Sequence, residues 1–135
     1  MTFGHLHIKN EVGVFGENAA VDLLKNKGFR ILERNWKMGH LEVDIIAEDK
    51  TTIAFVEVKT RTSVFGKRPE EFVDKDKRHH MVSAANVYIK TTRSTKTPRF
   101  DIIGILTDRD NSQILEIEHY EGAFIPKLRA YGVQI

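Results

Sequence analysis

Between residues 41 and 59 the chain alternates in a way that fixes a hairpin. Leu41-Glu42-Val43-Asp44-Ile45-Ile46-Ala47 and Ile53-Ala54-Phe55-Val56-Glu57-Val58-Lys59 are rich in β-branched and aromatic residues and flank the turn-like Glu48-Asp49-Lys50-Thr51, the signature of two antiparallel strands. With the tip at Lys50-Thr51, partners have numbers summing to about 101. Ile46 then faces Phe55, Asp44 faces Glu57 and Glu42 faces Lys59, because side chains repeat every two residues on one face. The other face collects Val43, Ile45 and Ala47 against Val58, Val56 and Ala54, an apolar layer that a helix is expected to cover.

The remaining pattern predicts elements on both sides of this hairpin. Asn10 suits a helix N-cap and Gly28 a C-terminal stop, bracketing a helix over residues 11–27. In it Glu17, Ala20 and Leu24 follow a three-four spacing that places Glu17 beside the apolar stripe. Residues 30–37 read as a strand. Residues 62–73, with Gly66 and Pro69 and no clear period, read as a loop. A second helix over residues 74–91 carries Met81, Ala84, Ala85 and Tyr88 on one stripe, and strands follow at residues 100–107 and 113–120. The predicted order is α-β-β-β-α-β-β, an α/β fold with a mixed five-stranded sheet flanked by helices. No internal repeat or linker divides it, so residues 1–135 are expected to form a single domain.

Charge changes this picture at one place. Glu57 and Lys59 lie two apart in an apolar strand and share a face. Directly opposed carboxylates such as Asp44 and Glu57 repel unless a cation lies between them. An ordinary solvated hairpin face explains the same alternation, but Ile46 and Phe55 continue that face, which puts the acids at the end of an apolar surface. Two carboxylates, a main-chain carbonyl at Val58 and a neighbouring ammonium suit Mg²⁺ or Mn²⁺, hard ions that bind through one or two carboxylates, waters and substrate phosphate. That chemistry belongs to phosphodiester hydrolysis.

Asp44, twelve residues and then Glu57-Val58-Lys59 resembles the PD-(D/E)xK signature of restriction-endonuclease-like nucleases, with Val43 at the proline position. Extended along the chain, Gly16-Glu17-Asn18-Ala19-Ala20, Gly28 through Trp36, Gly39 through Asp44, Phe55 through Arg61 and Phe65-Gly66 together resemble the YraN-like family of uncharacterised bacterial proteins, from about Asn10 to about Glu118. That family is similar in fold to archaeal-type Holliday junction resolvases. The resemblance implies a restriction-endonuclease-like fold and a metal-dependent endonuclease acting on DNA, branched or damaged DNA included. It implies Asp44, Glu57 and Lys59 in catalysis, with Glu17 from the first helix in support and Asp44, Glu57 and the Val58 carbonyl as metal ligands. It also implies a homodimer, since a four-way junction offers two equivalent cut points to a twofold partner. A nucleic-acid-binding protein with the same fold and weak or no catalysis is the alternative, and a small interaction protein with a structural charged hairpin is a third.

Composition supports this without deciding it. Net charge is +2 from 21 Lys and Arg against 19 Asp and Glu, and 41% of residues are hydrophobic, ordinary values for a globular protein. Seven basic residues against four acids lie between residues 59 and 78, and four without an acid between 90 and 99. Of these, Arg61, Lys75, Lys77 and Arg78 lie close in sequence to the proposed site and are the expected phosphate contacts. The absence of cysteine excludes disulfides and thiolate zinc sites. With no signal-peptide pattern at the start and no run of membrane-spanning length, a cytoplasmic location is expected. His79-His80, adjacent on a helix, point about 100° apart and are poor joint ligands. His5 and His7 share a strand-like face able to bind a metal but sit near a terminus expected to be loose, and Trp36 is expected in the core, while Phe65 is a loop aromatic. No phosphate-cradling Gly-rich loop, G-x-S-x-G or H-E-x-x-H pattern is present.

Overall fold

In the computed structural model, described over residues 2–62 and 73–126, with side chains over 14–62 and 73–126, the element order is α1 Thr2–Asn26, β1 Arg30–Met38, β2 Leu41–Glu48, β3 Thr52–Thr62, α2 Lys75–Thr92, β4 Thr97–Thr107 and β5 Ile114–Phe124. This is the expected α-β-β-β-α-β-β order. The strands lie side by side in chain order, antiparallel except for β3 and β4, which run parallel across the α2 crossover, the long connection that a parallel pair needs.

Local chemistry explains the boundaries. Gly28, at φ 92°, ends α1 in a left-handed turn. Its N–H donates to the Lys25 carbonyl and the Phe29 N–H to the Leu24 carbonyl, and Phe29 and Leu24 pack in one cluster, which together make a Schellman stop. Asp74 caps α2 by accepting from the Lys77 N–H at 2.9 Å. At the hairpin tip, Asp49 Oδ1 accepts from the N–H groups of Thr51 and Thr52. The start of α1 differs from expectation: Asn10 lies inside the helix rather than capping it, since a capping preference is a weak signal that a proline-free run overrides. His5 and His7 therefore lie in a helix and not in a strand.

The sheet buries both faces. Met81, Ala84, Ala85 and Tyr88 of α2 pack with Ile46, Ile53, Phe55, Phe100 and Ile102 on one side, where Trp36 joins them edge-on to Tyr88. On the other side Ala20, Val21 and Leu24 of α1 cover Ile45, Ala47, Ala54, Val56, Ile103 and Ile105, the cover that the apolar layer called for. Val43 does not belong to that layer. It packs with the α2-side cluster, and its expected pairing with Val58 does not form, because β2 leaves β3 before reaching it. Among the described residues no helix is long and apolar enough to cross a membrane.

Candidate metal and phosphate site

The hairpin register is the expected one where the two strands pair: Ile45 with Val56, Ile46 with Phe55, Ala47 with Ala54 and Glu48 with Ile53. Beyond Ile45 the strands part. β2 stays with β1, pairing Val43 with Trp36 and Glu42 with Lys37, while β3 stays with β4 along its full length. Asp44 and Glu57 are thus not ladder partners. Glu42 faces Lys37, with its carboxylate 3.9 Å from the Lys37 ammonium, and not Lys59. A wedge opens between β2 and β3, and the acids lie at its mouth.

The wedge gives Asp44 its position. Where β2 no longer supplies a backbone acceptor, Asp44 Oδ2 accepts from the Val58 N–H at 2.8 Å, so a side chain replaces a ladder bond that β3 would otherwise lack. In a strand a residue's N–H and C=O point to the same edge, which aims the Val58 carbonyl into the wedge as well. Burial first, and then the charge of Glu57, push the Asp44 carboxyl up from 3.8 to about 6; the Val58 N–H and the Lys77 ammonium pull it back, and Glu17 adds to the rise. The repulsion anticipated from sequence is present, although the two acids reach each other across a splayed rather than a paired register.

Glu57 is the more enclosed acid, its side chain 6% exposed. Lys59 Nζ lies 3.4 Å from its Oε2 and Lys77 Nζ 3.4 Å from its Oε1, so each oxygen has its own ammonium. Lys59 comes from the same strand face, as its spacing required. Lys77 comes from the first turn of α2, a contact that nothing in the hairpin pattern foretold.

Glu17 reaches the rim from α1. Its Oε1 accepts from Arg34 Nε at 2.9 Å and Asn35 Nδ2 at 3.0 Å, and its charge is felt at Asp44. Sequence reasoning passed over both partners. Asn35 has φ 52° within β1, a left-handed conformation that costs energy in a strand and recurs at functional positions. Asparagine in the middle of a strand was the available signal. Among the described residues no group of three or more His, Asp or Glu side chains is gathered to hold a metal, so Glu17 does not complete a closed triad with Asp44 and Glu57.

Of the other expected phosphate contacts, Lys75 and Arg78 flank Lys77 in the first turn of α2. Lys75 is exposed at the start of α2. Arg78 donates from Nε to the Val73 carbonyl and its guanidinium lies over the Phe124 ring at 5.6 Å. Arg61 lies two residues beyond Lys59 on β3 and donates to the Thr60 carbonyl. His80 Nε2 is 3.2 Å from the His40 carbonyl, with the two rings edge to face, a structural role. Phe65 and most of the expected loop lie outside the described residues.

A second buried charge, Asp101, was also missed, although it announces itself as Glu57 does, by a lone acid in an apolar strand. Fully enclosed, it takes both forks of Arg99 at 2.9 and 2.8 Å, the His119 Nε2 at 2.7 Å and the Gly122 N–H at 2.9 Å. Burial raises its pKa, but the His119, Arg99 and Gly122 bonds outweigh that and hold the carboxyl below its ordinary range.

The model of the uncharacterised protein family UPF0102 matches residues 16–105, a span that includes Glu17, Asp44, Glu57, Lys59 and Lys77. A UPF0102 protein of Bacteroides thetaiotaomicron is 42% identical over 119 residues, covering 88% of this chain and 96% of that protein. One from Caldanaerobacter subterraneus is 42% identical over 117 residues, with 86% and 96% covered. Another, from Flavobacterium psychrophilum, is 40% identical over 115 residues, with 85% and 94% covered. On the family-model match and the identity and coverage of these relatives, the chain belongs to the UPF0102, or YraN-like, family.

Proposed function

We propose that this protein is a Mg²⁺- or Mn²⁺-dependent endonuclease that hydrolyses phosphodiester bonds of DNA, branched or damaged DNA included. The observation that carries the reading is the wedge: two repelling, largely buried carboxylates, Asp44 and Glu57, at the point where β2 and β3 separate, flanked by two ammonium groups. The donor set fits a hard cation. Asp44, Glu57 and the Val58 carbonyl would hold it, with the remaining positions left to water and substrate phosphate. When bound, such an ion neutralises charge on the phosphate and makes a water more acidic.

The chain's own groups do the rest. Lys59, fixed on Glu57, presents an ammonium where negative charge builds on the phosphate oxygens, a stabilisation that counts most in a site with restricted water. Glu17, braced by Arg34 and Asn35, keeps a third negative charge at the rim. In the reaction a water oxygen bonds to phosphorus as one ester P–O bond breaks; one water proton ends on the leaving alcohol and the other on the phosphate monoester. Lys75, Lys77, Arg78 and Arg61 are the cations from which backbone contact is expected. A homodimer is part of the same proposal.

The lack of a third gathered acid among the described residues favours one alternative, a DNA-binding protein of weak or no catalysis. Incubation of purified protein with junction, flap and linear DNA in Mn²⁺ separates the two. Cutting by wild type, lost in Asp44→Asn and Lys59→Ala while DNA binding persists, supports the nuclease. Binding without cutting in any metal supports the alternative, and the binding of neither metal nor DNA refutes both.

A further inference from the structure

The lysine pair on Glu57 is asymmetric in origin. Lys59 belongs to the same strand two residues on, its ammonium 3.4 Å from Glu57 Oε2. Lys77 reaches Glu57 Oε1 from a different element, by a long flexible side chain that is 27% exposed, anchored at its base by the Asp74 cap on its backbone N–H. Lysine is a compact charge on a flexible stem, suited to changing partners without moving the helix that carries it.

Charge counting says what such a change accomplishes. Asp44 and Glu57 carry two negative charges when ionised, and Lys59 and Lys77 carry two positive ones. The four are balanced as they stand. A divalent ion that takes Glu57 Oε1 and Asp44 competes directly with the Lys77 ammonium and leaves the site two charges in excess. That excess suits an incoming phosphodiester, and Lys77 is the group able to turn toward it.

We infer that Lys77 holds the Glu57 Oε1 position in competition with the divalent cation and, once displaced, passes its charge to the substrate phosphate. This rests on the proposed metal-dependent reading and assigns Lys77 a positioning role that the acids and Lys59 do not perform. Metal entry and phosphate capture are then coupled through one side chain, and a linkage of that kind is reciprocal.

The test uses Mn²⁺ alone, titrated calorimetrically into chelator-treated wild-type protein, Lys77→Met, Lys77→Arg and Lys59→Met, with thermal melting in chelator and in Mn²⁺ as a second readout. Loss of a competing partly buried ion pair predicts that Lys77→Met binds Mn²⁺ about 5-fold tighter than wild type. It also melts lower in chelator, with a larger gain on adding Mn²⁺, and Lys77→Arg stays near wild type. A lysine that merely props up the site would produce loss, not gain. Equal or weaker Mn²⁺ binding by Lys77→Met overturns the inference while leaving the nuclease reading intact, as does a gain confined to Lys59→Met. Wild-type protein that neither binds Mn²⁺ nor is stabilised by it overturns both. Duplex binding measured by fluorescence anisotropy must then show a smaller Mn²⁺-dependent increase for Lys77→Met than for wild type, and an equal increase removes the transfer to phosphate.

Discussion

Asp44 is ionised at neutral pH against the wishes of its surroundings. Its carboxyl is pushed from 3.8 to about 6 by burial and by Glu57, so the folded protein holds a proton there that the unfolded chain has already released. Stability therefore falls as pH rises from about 4 to about 6, and above that the whole penalty is present. At about 1.4 kcal/mol per pH unit it approaches roughly 3 kcal/mol as an upper bound. Asp44→Asn keeps an oxygen to accept from the Val58 N–H and removes the charge. It is expected to raise the melting temperature at pH 8 and to make no difference at pH 4, which melting across that range measures. A stable variant that no longer binds Mn²⁺ fits a residue kept for function at a cost in stability. Asp44 and Glu57 could be picked out from sequence because each is a charge in an apolar strand; that Lys77 answers Glu57 could not, since its helix is separated from β3 by a segment with no period.

Elements meet at the site through one close crossing. An added Cβ on Gly16 would collide with Thr60 Oγ1, with Ile105 Cδ1 at 3.6 Å, so glycine lets α1 approach β3 this closely and bring the following residue, Glu17, to Arg34 and Asn35. Gly16→Ala should gain up to about 1 kcal/mol in helix propensity, yet overpacking is expected to cost about 1–3 kcal/mol and to shift Glu17. Net destabilisation in urea, relieved when Thr60→Ala is added, is the expected outcome, because Thr60 Cβ at 3.5 Å is ordinary contact. Stabilisation by the single substitution would refute the crossing. The three-four spacing placed Glu17 beside the apolar stripe and was right to do so, while the depth of contact at Gly16 has no periodicity from which to read it.

Across the whole molecule, the two buried acids mark two different jobs. Asp101 has four satisfied bonds and lies among β4, β5 and, through the Lys27 ammonium 2.9 Å from His119 Nδ1, the end of α1. Such a network ties elements together and leaves no oxygen to a ligand. Asp101→Asn strands a partly buried guanidinium and is expected to cost roughly 2–4 kcal/mol, read by chemical denaturation at pH 7. Because the Asp101 carboxyl is held low, its contribution is present above about pH 4 and disappears as pH falls through its folded value, opposite in sign to that of Asp44. The difference between variant and wild type should shrink in acid; a constant difference would mean that the charge is not what stabilises the network.

The order of elements, the register of the hairpin from Ile45 to Glu48, the stop at Gly28 and the core place of Trp36 were all determined by the chain, because period, turn chemistry and capping are local and act over a few residues. Tertiary structure alone decided that β2 and β3 part at Asp44, that Val43 turns to the α2 side, that Glu42 answers Lys37 and that Lys77 crosses to Glu57. Each of these depends on which neighbour a strand keeps when it cannot keep both, and that choice is made by the packing of β1, β4 and two helices, groups distant in sequence whose contributions no local pattern contains.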